Sequence, residues 1–489
     1  MTFSNFLTDY FQTKTLKDFE IKSICTHSQK VKKGSLFVAL AGRKEDGHSY
    51  IQEAIDQGAQ ALLVKDTSQI PSSFKGLILK SQNIREDLSR LLNEYHEDPS
   101  DQLFMIGVTG TNGKTTVSYM LEHILNHCGW PTGVIGTIDQ HFQKQKWETS
   151  LTTPEVTETF ERLHDFTKAG AKATVMEVSS IGLDQKRVDG LNFKAALFTN
   201  LSQDHLDYHF NLEDYFKVKQ KLFLNSSDKN FFSIINQDDP YGKKLIQNVK
   251  TKVYTYGLED TDFCFKIKDQ NLSETVFDLK TPFGSTLVRL PLLGVYNVYN
   301  AVASLACATV IGFDLKDCQK ALEDFQFPYG RLQKVTNPKD DFQVFVDYAH
   351  TPRALSSVLQ TLKPYKKDKK LIVVFGCGGD RDKTKRVPMV QEATQHADQV
   401  FLTSDNPRFE NPMDIIESSL KDVKSSLKKH LDIEVNREKA IEKAILFAQK
   451  GDIILIAGKG HEKIQIIRDE KRDFDDVQVA KKILKKKFQ

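Results

Sequence analysis

Gly107-Val108-Thr109-Gly110-Thr111-Asn112-Gly113-Lys114-Thr115-Thr116 carries a short apolar run, Leu103–Thr109 (LFMIGVT), into a helix-like segment, Thr115–Cys128. Glycines let backbone N–H groups turn inward onto phosphate oxygens, and a helix N-terminus adds its dipole. Lys114 can then reach β- and γ-phosphates, and the Thr115 hydroxyl is placed to ligate Mg²⁺. The strict phosphate-loop pattern has Gly where this chain has Val108, so the loop is a variant. Its position between strand and helix predicts an ATP or GTP site rather than a turn that binds nothing.

The same rhythm continues on both sides. Strand-like runs recur at Ala173–Val178, Ala195–Thr199 and Phe231–Ile235, then at Gln343–Val346, Leu371–Phe375, Gln399–Leu402 and Asp452–Ala457. Helical stretches separate them, which indicates βαβ units around buried parallel sheets. Residues 1–100 read as a smaller mixed unit with a strand near Ser35–Leu40 and a helix near Tyr50–Gln57. The expected fold is α/β in three domains. Residues 1–100 form a small mixed N-terminal domain, 101–330 a central phosphate-loop ATPase domain with a mostly parallel sheet, and 331–489 a Rossmann-like C-terminal domain. The length agrees, because 489 residues at about 150 per domain suggest about three.

Composition narrows the class. With 39% hydrophobic and 27% charged residues each domain can bury a core. The net charge of +3 gives no reason to propose a nucleic-acid or polybasic membrane partner. The N-terminus lacks an apolar h-region and does not read as a signal peptide. No apolar run approaches the ~20 residues that span a bilayer, so no membrane insertion is expected. The six cysteines lie scattered without CxxC spacing, which argues against a zinc site or disulfide framework and fits reduced thiols in the cytoplasm.

Other segments bear chemistry. Glu177 ends a strand in Met176-Glu177-Val178-Ser179-Ser180, where a carboxylate suits a hard cation or is simply solvated. Thr199-Asn200-Leu201-Ser202-Gln203-Asp204-His205-Leu206-Asp207-Tyr208-His209 is dense in titratable groups, and His205 is a candidate ligand or phosphate contact. Lys219, among Lys217 and Lys221, reads as a solvated helix face, Asn297 as a helix cap and Arg331 as a surface charge. Four polar, Gly-bearing clusters follow the C-terminal strands: Val346–His350, Gly376–Lys383, Ser404–Arg408 and Ala457–Glu462. Together they should line one crevice at the strand ends. The tail Lys481–Lys487 reads as a frayed helix end, with a contact to anionic lipid or a partner as the alternative.

GTNGKTT (Gly110–Thr116), MEVSS (Met176–Ser180), TNLSQDHLDYH (Thr199–His209) and Tyr215-x-x-x-Lys219 occur together with similar spacing in the Mur ligase family, which the chain resembles over nearly its whole length. The resemblance implies an ATP-dependent ligase that forms an amide bond in peptidoglycan stem-peptide synthesis, similar to the members that add the third residue. ATP would contact Gly110, Thr111, Asn112, Gly113, Lys114, Thr115, Thr116, Asn300, Arg331 and Asp347. Mg²⁺ would be organised by Thr115, Glu177, His205 and Lys219, the last carbamylated into a carboxylate-like ligand. Lys114, Lys219, His205 and Arg331 would be the catalytic residues.

By the same resemblance Ser28, Thr152, Thr153, Ser179, Gln185 and Arg187 would hold UDP-MurNAc-L-Ala-D-Glu. The family often has a His-Gln pair where this chain has Arg43-Lys44. Arg381, Asp405, Asn406, Pro407, Arg408, Gly458 and Glu462 would form the amino-acid pocket. Asp405-Asn406-Pro407-Arg408 matches the signature of members that take meso-diaminopimelate, because Arg408 offers a planar fork for a distal carboxylate. L-Lysine, which has no such carboxylate, is the alternative substrate. The rivals are another amide ligase of the superfamily, such as a folylpolyglutamate synthetase, and a nucleotide-driven conformational switch. The expected partners are small molecules only, and the expected state is a monomer.

Overall fold

A computed structural model describes residues 3–487 except 14–19, 43–44, 206–207, 225–227, 273, 327–329, 331, 337–340 and 422. Arg331, Arg43 and Lys44 therefore lie outside the described residues, as do Leu206 and Asp207 of the His205 segment.

The strand Phe104–Thr109 lies near the middle of an eleven-stranded sheet, between Ala173–Glu177 and Phe193–Phe198, and parallel to both. Thr132–Ile135, Phe232–Asn236 and Lys252–Gly257 extend the parallel part. Ala173–Glu177, Phe193–Phe198 and Phe232–Asn236, like Phe104–Thr109, are almost wholly buried and appear in the sequence as apolar runs, which is why they were legible. Thr132–Ile135 and the partly exposed Lys252–Gly257 were passed over. The sheet then continues through strands the sequence reading passed over. Gln140–Phe142 and Gln145–Trp147 add an antiparallel hairpin at one edge. Phe263–Gln270, Thr275–Thr281 and Gly284–Leu290 add an antiparallel meander at the other.

Two helices cover one face of this sheet. The helix Lys114–His127 leaves the phosphate loop, and Val295–Ile311 packs beside it, with Val117, Leu121, Ile124, Val298, Val302 and Leu305 buried against Ile106 and Val108. Small residues, Ala301, Ala303, Ala306 and Ala308, let the second helix be buried on nearly every side. The cap of this helix is Gly294, and Asn297 lies inside its first turn, donating back to the Leu293 carbonyl at 2.6 Å. The expected Asn297 cap is thus replaced by a backbone turn.

The N-terminal sheet has four parallel strands in sequence order, Ser23–Cys25, Ser35–Val38, Ala59–Val64 and Leu77–Lys80. The C-terminal sheet places Gln343–Asp347, Ile453–Ala457, Leu371–Cys377 and Gln399–Ser404 side by side and parallel. The four polar clusters thus sit at adjacent strand ends. The last helix, Asp476–Lys487, is docked along its length. Val477, Ala480, Ile483 and Leu484 are buried, and Lys487 Nζ donates to the Ile445 and Ala448 carbonyls. The expected frayed tail is corrected: its lysines mask an amphipathic face that completes the core. All six cysteines are free thiols, and among the described residues no helix is long and apolar enough to cross a membrane.

Candidate functional site

The phosphate loop is held from outside by the segment that follows the neighbouring strand. Thr199 Oγ1 and Asn200 Nδ2 donate to the Asn112 carbonyl at 2.6 and 3.1 Å, and the Asn200 side chain accepts from Asn112 N. Thr111 N donates to Asn200 O. Gly113 has φ +90°, and a Cβ there would stand 2.5 Å from Asn300 Oδ1. Only glycine permits both that backbone and that approach. Lys114 folds back over the loop, its Nζ 2.8 Å from Gly110 O and 2.9 Å from Thr111 O. Thr116 is buried behind it.

Sheet register brings the next two groups together. Glu177 is paired with Val108 across the sheet, and Thr115 Oγ1 donates to Glu177 Oε2 at 3.0 Å. Thr137 closes the carboxylate from the other side, with its N on Oε1 and its Oγ1 on Oε2, each at 3.0 Å. Glu177 is completely buried, so it is a held group and not the solvated strand end that was the alternative. Lys219 is no solvated helix face either. Its side chain is 1% exposed, and Nζ donates to Gly110 O at 3.0 Å. Burial, then the nearby Lys114, push its amine well below the ordinary lysine range.

His205 stands on the rim at φ +54°, its Nε2 3.6 Å from Asp204 Oδ2 and its ring edge-on to Tyr215. Tyr215 in turn meets Thr111 Oγ1 through its hydroxyl. Asp204 is nine-tenths buried. Burial would raise its pKa, but His205, then His350 and Lys385 from the C-terminal domain, lower it. Among the described residues no three His, Cys, Asp or Glu side chains converge on one point. The oxygen donors Thr115 and Glu177, adjacent to each other and to the loop, are nevertheless the chemistry a hard cation takes.

Glu177 also roots a second network. Thr153 Oγ1 donates to Glu177 O and to Ser179 Oγ, Arg187 Nη1 donates to Thr153 O, and Arg187 Nη2 donates to Gln185 Oε1. Thr152 accepts from Thr137 Oγ1 at 3.1 Å. Five of the six residues expected to hold the muramoyl-peptide are therefore tied by hydrogen bonds to one another, to the Glu177 carbonyl or to Thr137. Ser28, the sixth, is buried at the start of a short turn in the N-terminal sheet. Arg85 links that domain to this network, donating to Gln185 O and Ala41 O.

Between the central and C-terminal domains lies a cavity of about 370 Å³. Asn112, Gly113, Thr116 and Asn300 line it from one side, and Asp347, His350 and Arg353 from the other. Asp347 accepts from Leu332 N and Ala349 N, which pins the chain next to Arg331. Arg353 reaches across to Leu201 O at 3.3 Å and toward Asp239.

The crevice beyond is built from side chains. Arg408 is in the left-handed region at φ +51°, and its Nη1 donates to Gly379 O at 2.8 Å. Burial, then the adjacent Arg381, lower its pKa. Asn406 Nδ2 donates to Glu462 Oε2 at 2.9 Å. Asp405 packs on Gly458, where a Cβ would lie 2.9 Å from its carboxylate and φ is +115°. Pro407 O is against Gly379. Beneath them Arg437 and Asp476, both fully buried, pair at 2.7 Å, and Arg437 also holds Ser404 O and Ala457 O.

Known proteins resemble the chain over nearly its whole length. Residues 20–98 match the model of the Mur ligase family, catalytic domain, residues 108–308 the Mur ligase middle domain, and residues 330–460 the Mur ligase, glutamate ligase domain. The UDP-N-acetylmuramoyl-L-alanyl-D-glutamate--2,6-diaminopimelate ligase of Clostridium perfringens is 40% identical over 98% of each chain. That of Aquifex aeolicus is 41% identical over 95% of this chain and 94% of its own. The chain belongs to the Mur ligase family. A solved structure of a ligase of the same name is 34% identical, with a TM-score of 0.66 over 96% of both chains. Mur ligases are ATP-dependent enzymes that form amide bonds, and this chain is one.

Two groups of this Mur ligase escaped the sequence reading. Thr137 and Arg353 have ordinary loop or helix surroundings in the sequence, and each acts across the fold on a residue more than thirty positions away. The one available signal was the Gly136-Thr137 turn.

Proposed function

We propose that this Mur ligase joins meso-diaminopimelate to the γ-carboxylate of D-Glu in UDP-MurNAc-L-Ala-D-Glu, in the cytoplasm and as a monomer. The observation that carries the reading is a guanidinium and a carboxylate in one crevice, Arg408 and Glu462, on either side of Asn406. Meso-diaminopimelate has a distal carboxylate and a distal ammonium, which these two groups suit; L-lysine has only the ammonium. Arg381, Asp405, Asn406, Pro407 and Gly458 complete the pocket. The names of the relatives support the same substrates.

The chemistry follows from what a carboxylate lacks, a leaving group better than oxide. The D-Glu carboxylate attacks the γ-phosphorus of ATP, forming an acyl phosphate and ADP. The amine of diaminopimelate then attacks the acyl carbon, loses a proton, and expels phosphate. Gly110–Thr116 cradle the phosphates with backbone N–H groups, while Lys114 leaves its loop carbonyls to neutralise charge on the transferred group. Asn300, Asp347 and Arg331 hold the nucleotide. Thr153, Ser179, Gln185 and Arg187, with Thr152 and Ser28, hold the acceptor so that its carboxylate is in line.

Thr115, Glu177, His205 and carbamylated Lys219 would hold Mg²⁺, which when bound supplies charge neutralisation at the phosphates. Lys219 suits that modification, because burial lowers its pKa and so favours the neutral amine, the form that reacts with carbon dioxide. Arg353 and the His350 side of the cavity already bridge the two domains, so closure brings the amine to the acyl carbon and excludes water.

The test uses hydroxylamine in place of the amino acid. With ATP and UDP-MurNAc-L-Ala-D-Glu it should yield a hydroxamate and ADP in equal amounts. ADP without hydroxamate would overturn the acyl-phosphate route and favour the nucleotide-switch reading.

A further inference from the structure

Lys459 is fully buried, yet its ammonium sits among polar groups. Nζ donates to Glu462 Oε2 at 2.9 Å and to Asn406 Oδ1 at 3.1 Å. Asn406 Nδ2 donates to the same Glu462 Oε2, and Asn406 Oδ1 also accepts from Ile466 N at 3.0 Å. The orientation of the Asn406 amide is thereby set by three partners. Two donors fall on Oε2 of Glu462, and among the described residues none falls on Oε1. A carboxylate has about four lone-pair positions, so one oxygen stays available in a side chain that is 29% exposed.

The surrounding chain keeps these groups in register. The hairpin Ile464–Ile467 with Glu470–Asp473 docks along Asp405–Arg408. Gln465 Nε2 donates to Asp405 O, Arg408 N to Ile466 O, and Arg468 N to Arg408 O. Lys459 thus lies where the segment that carries Arg408 meets the segment that carries Glu462. A buried ammonium costs several kcal/mol of desolvation, which an apolar side chain of the same length would avoid. Here both of its side-chain hydrogen bonds go to groups of the pocket.

We infer that Lys459 is a positioning residue of the amino-acid pocket: it ties one oxygen of Glu462 and fixes the Asn406 amide, leaving the other Glu462 oxygen to accept the distal ammonium of the incoming diamino acid. The inference rests on the pocket reading above.

The test compares Lys459→Met, Glu462→Gln and the double variant, with KM measured for ATP, meso-diaminopimelate and 2-aminopimelate, which lacks the distal amine. Lys459→Met should raise KM for meso-diaminopimelate about tenfold, the loss of one charge-assisted hydrogen bond. KM for ATP and for 2-aminopimelate should stay within about twofold, and the double variant should be no worse than Glu462→Gln alone. Where Lys459→Met does not fold, Lys459→Gln, which keeps a donor, takes its place. Equal losses for both amino acids, or no loss, would overturn the inference while Glu462→Gln still discriminates between them. No effect of Glu462→Gln would show that the pocket reading itself has failed.

Discussion

The phosphate loop and the amino-acid crevice solve the problem of holding charged substrates in opposite ways. At the loop the main chain does the holding. The carbonyls of Gly110, Thr111 and Asn112 accept Lys114, Lys219, Thr199 and Asn200, and glycine permits the backbone at position 113. In the crevice side chains hold side chains, through Asn406, Lys459 and Glu462 above the buried pair of Arg437 and Asp476. A main-chain cradle recognises phosphate, which every nucleotide offers. A side-chain pocket recognises a particular arrangement of charges, and it can be altered one residue at a time.

Substitutions sharpen that contrast. Lys114→Ala removes the lysine of the loop and should lower the rate of ATP turnover by about 10³-fold. The unfolding temperature should change far less, because Lys114 is partly exposed and its ammonium bonds to the Gly110 and Thr111 carbonyls of its own loop. Surviving turnover would break the comparison at its first term.

Arg437→Met should act on stability instead. It leaves the Asp476 carboxylate buried without a partner, at a cost of about 3–5 kcal/mol in denaturant unfolding. Adding Asp476→Leu should recover much of that loss. A single variant as stable as the parent would show that the crevice floor does not depend on this pair.

The smallest effect lies near the edge of the central sheet, beside the phosphate-loop helix. His141 is buried between Asp139 and Glu122, and Tyr119 donates to Asp139. Tyr119 and Glu122 belong to the phosphate-loop helix, and the Thr137 turn precedes His141. Burial alone would lower the pKa of His141, but the hydrogen bonds and charges of Asp139 and Glu122 raise it from 6.5 to about 9. A pKa higher in the folded state contributes stability that is full below pH 6.5 and is lost as pH rises through about 9. His141→Gln should therefore be less stable than the parent at pH 6.5, by up to about 3 kcal/mol, with the gap closing toward alkaline pH. A pH-independent gap would mean that His141 acts through packing alone.

The contrast also explains what was legible in the sequence. The loop is contiguous, so its chemistry can be read from ten residues, and buried parallel strands such as Phe104–Thr109 and Leu371–Cys377 announce themselves as apolar runs. The meander Phe263–Leu290 was passed over because its strands are half-buried and carry lysines on the open face. The tail helix looked like a solvated lysine run because four buried apolar side chains at helical spacing are a weak signal among six charged ones. Lys459 stood inside a quoted motif, Gly458-Lys459-Gly460-His461-Glu462, but its burial follows only from the strand order that brings Asn406 beside it. Thr137 and Glu177 meet because two neighbouring strands end together, a fact of the sheet and not of local sequence.

The most direct test of the proposed reaction is phosphate release with ATP, Mg²⁺ and UDP-MurNAc-L-Ala-D-Glu, offering meso-diaminopimelate and L-lysine separately. Turnover with meso-diaminopimelate and little with L-lysine is the predicted result. A preference for L-lysine would contradict the role assigned to Arg408, and release with neither would contradict the ligase substrates themselves.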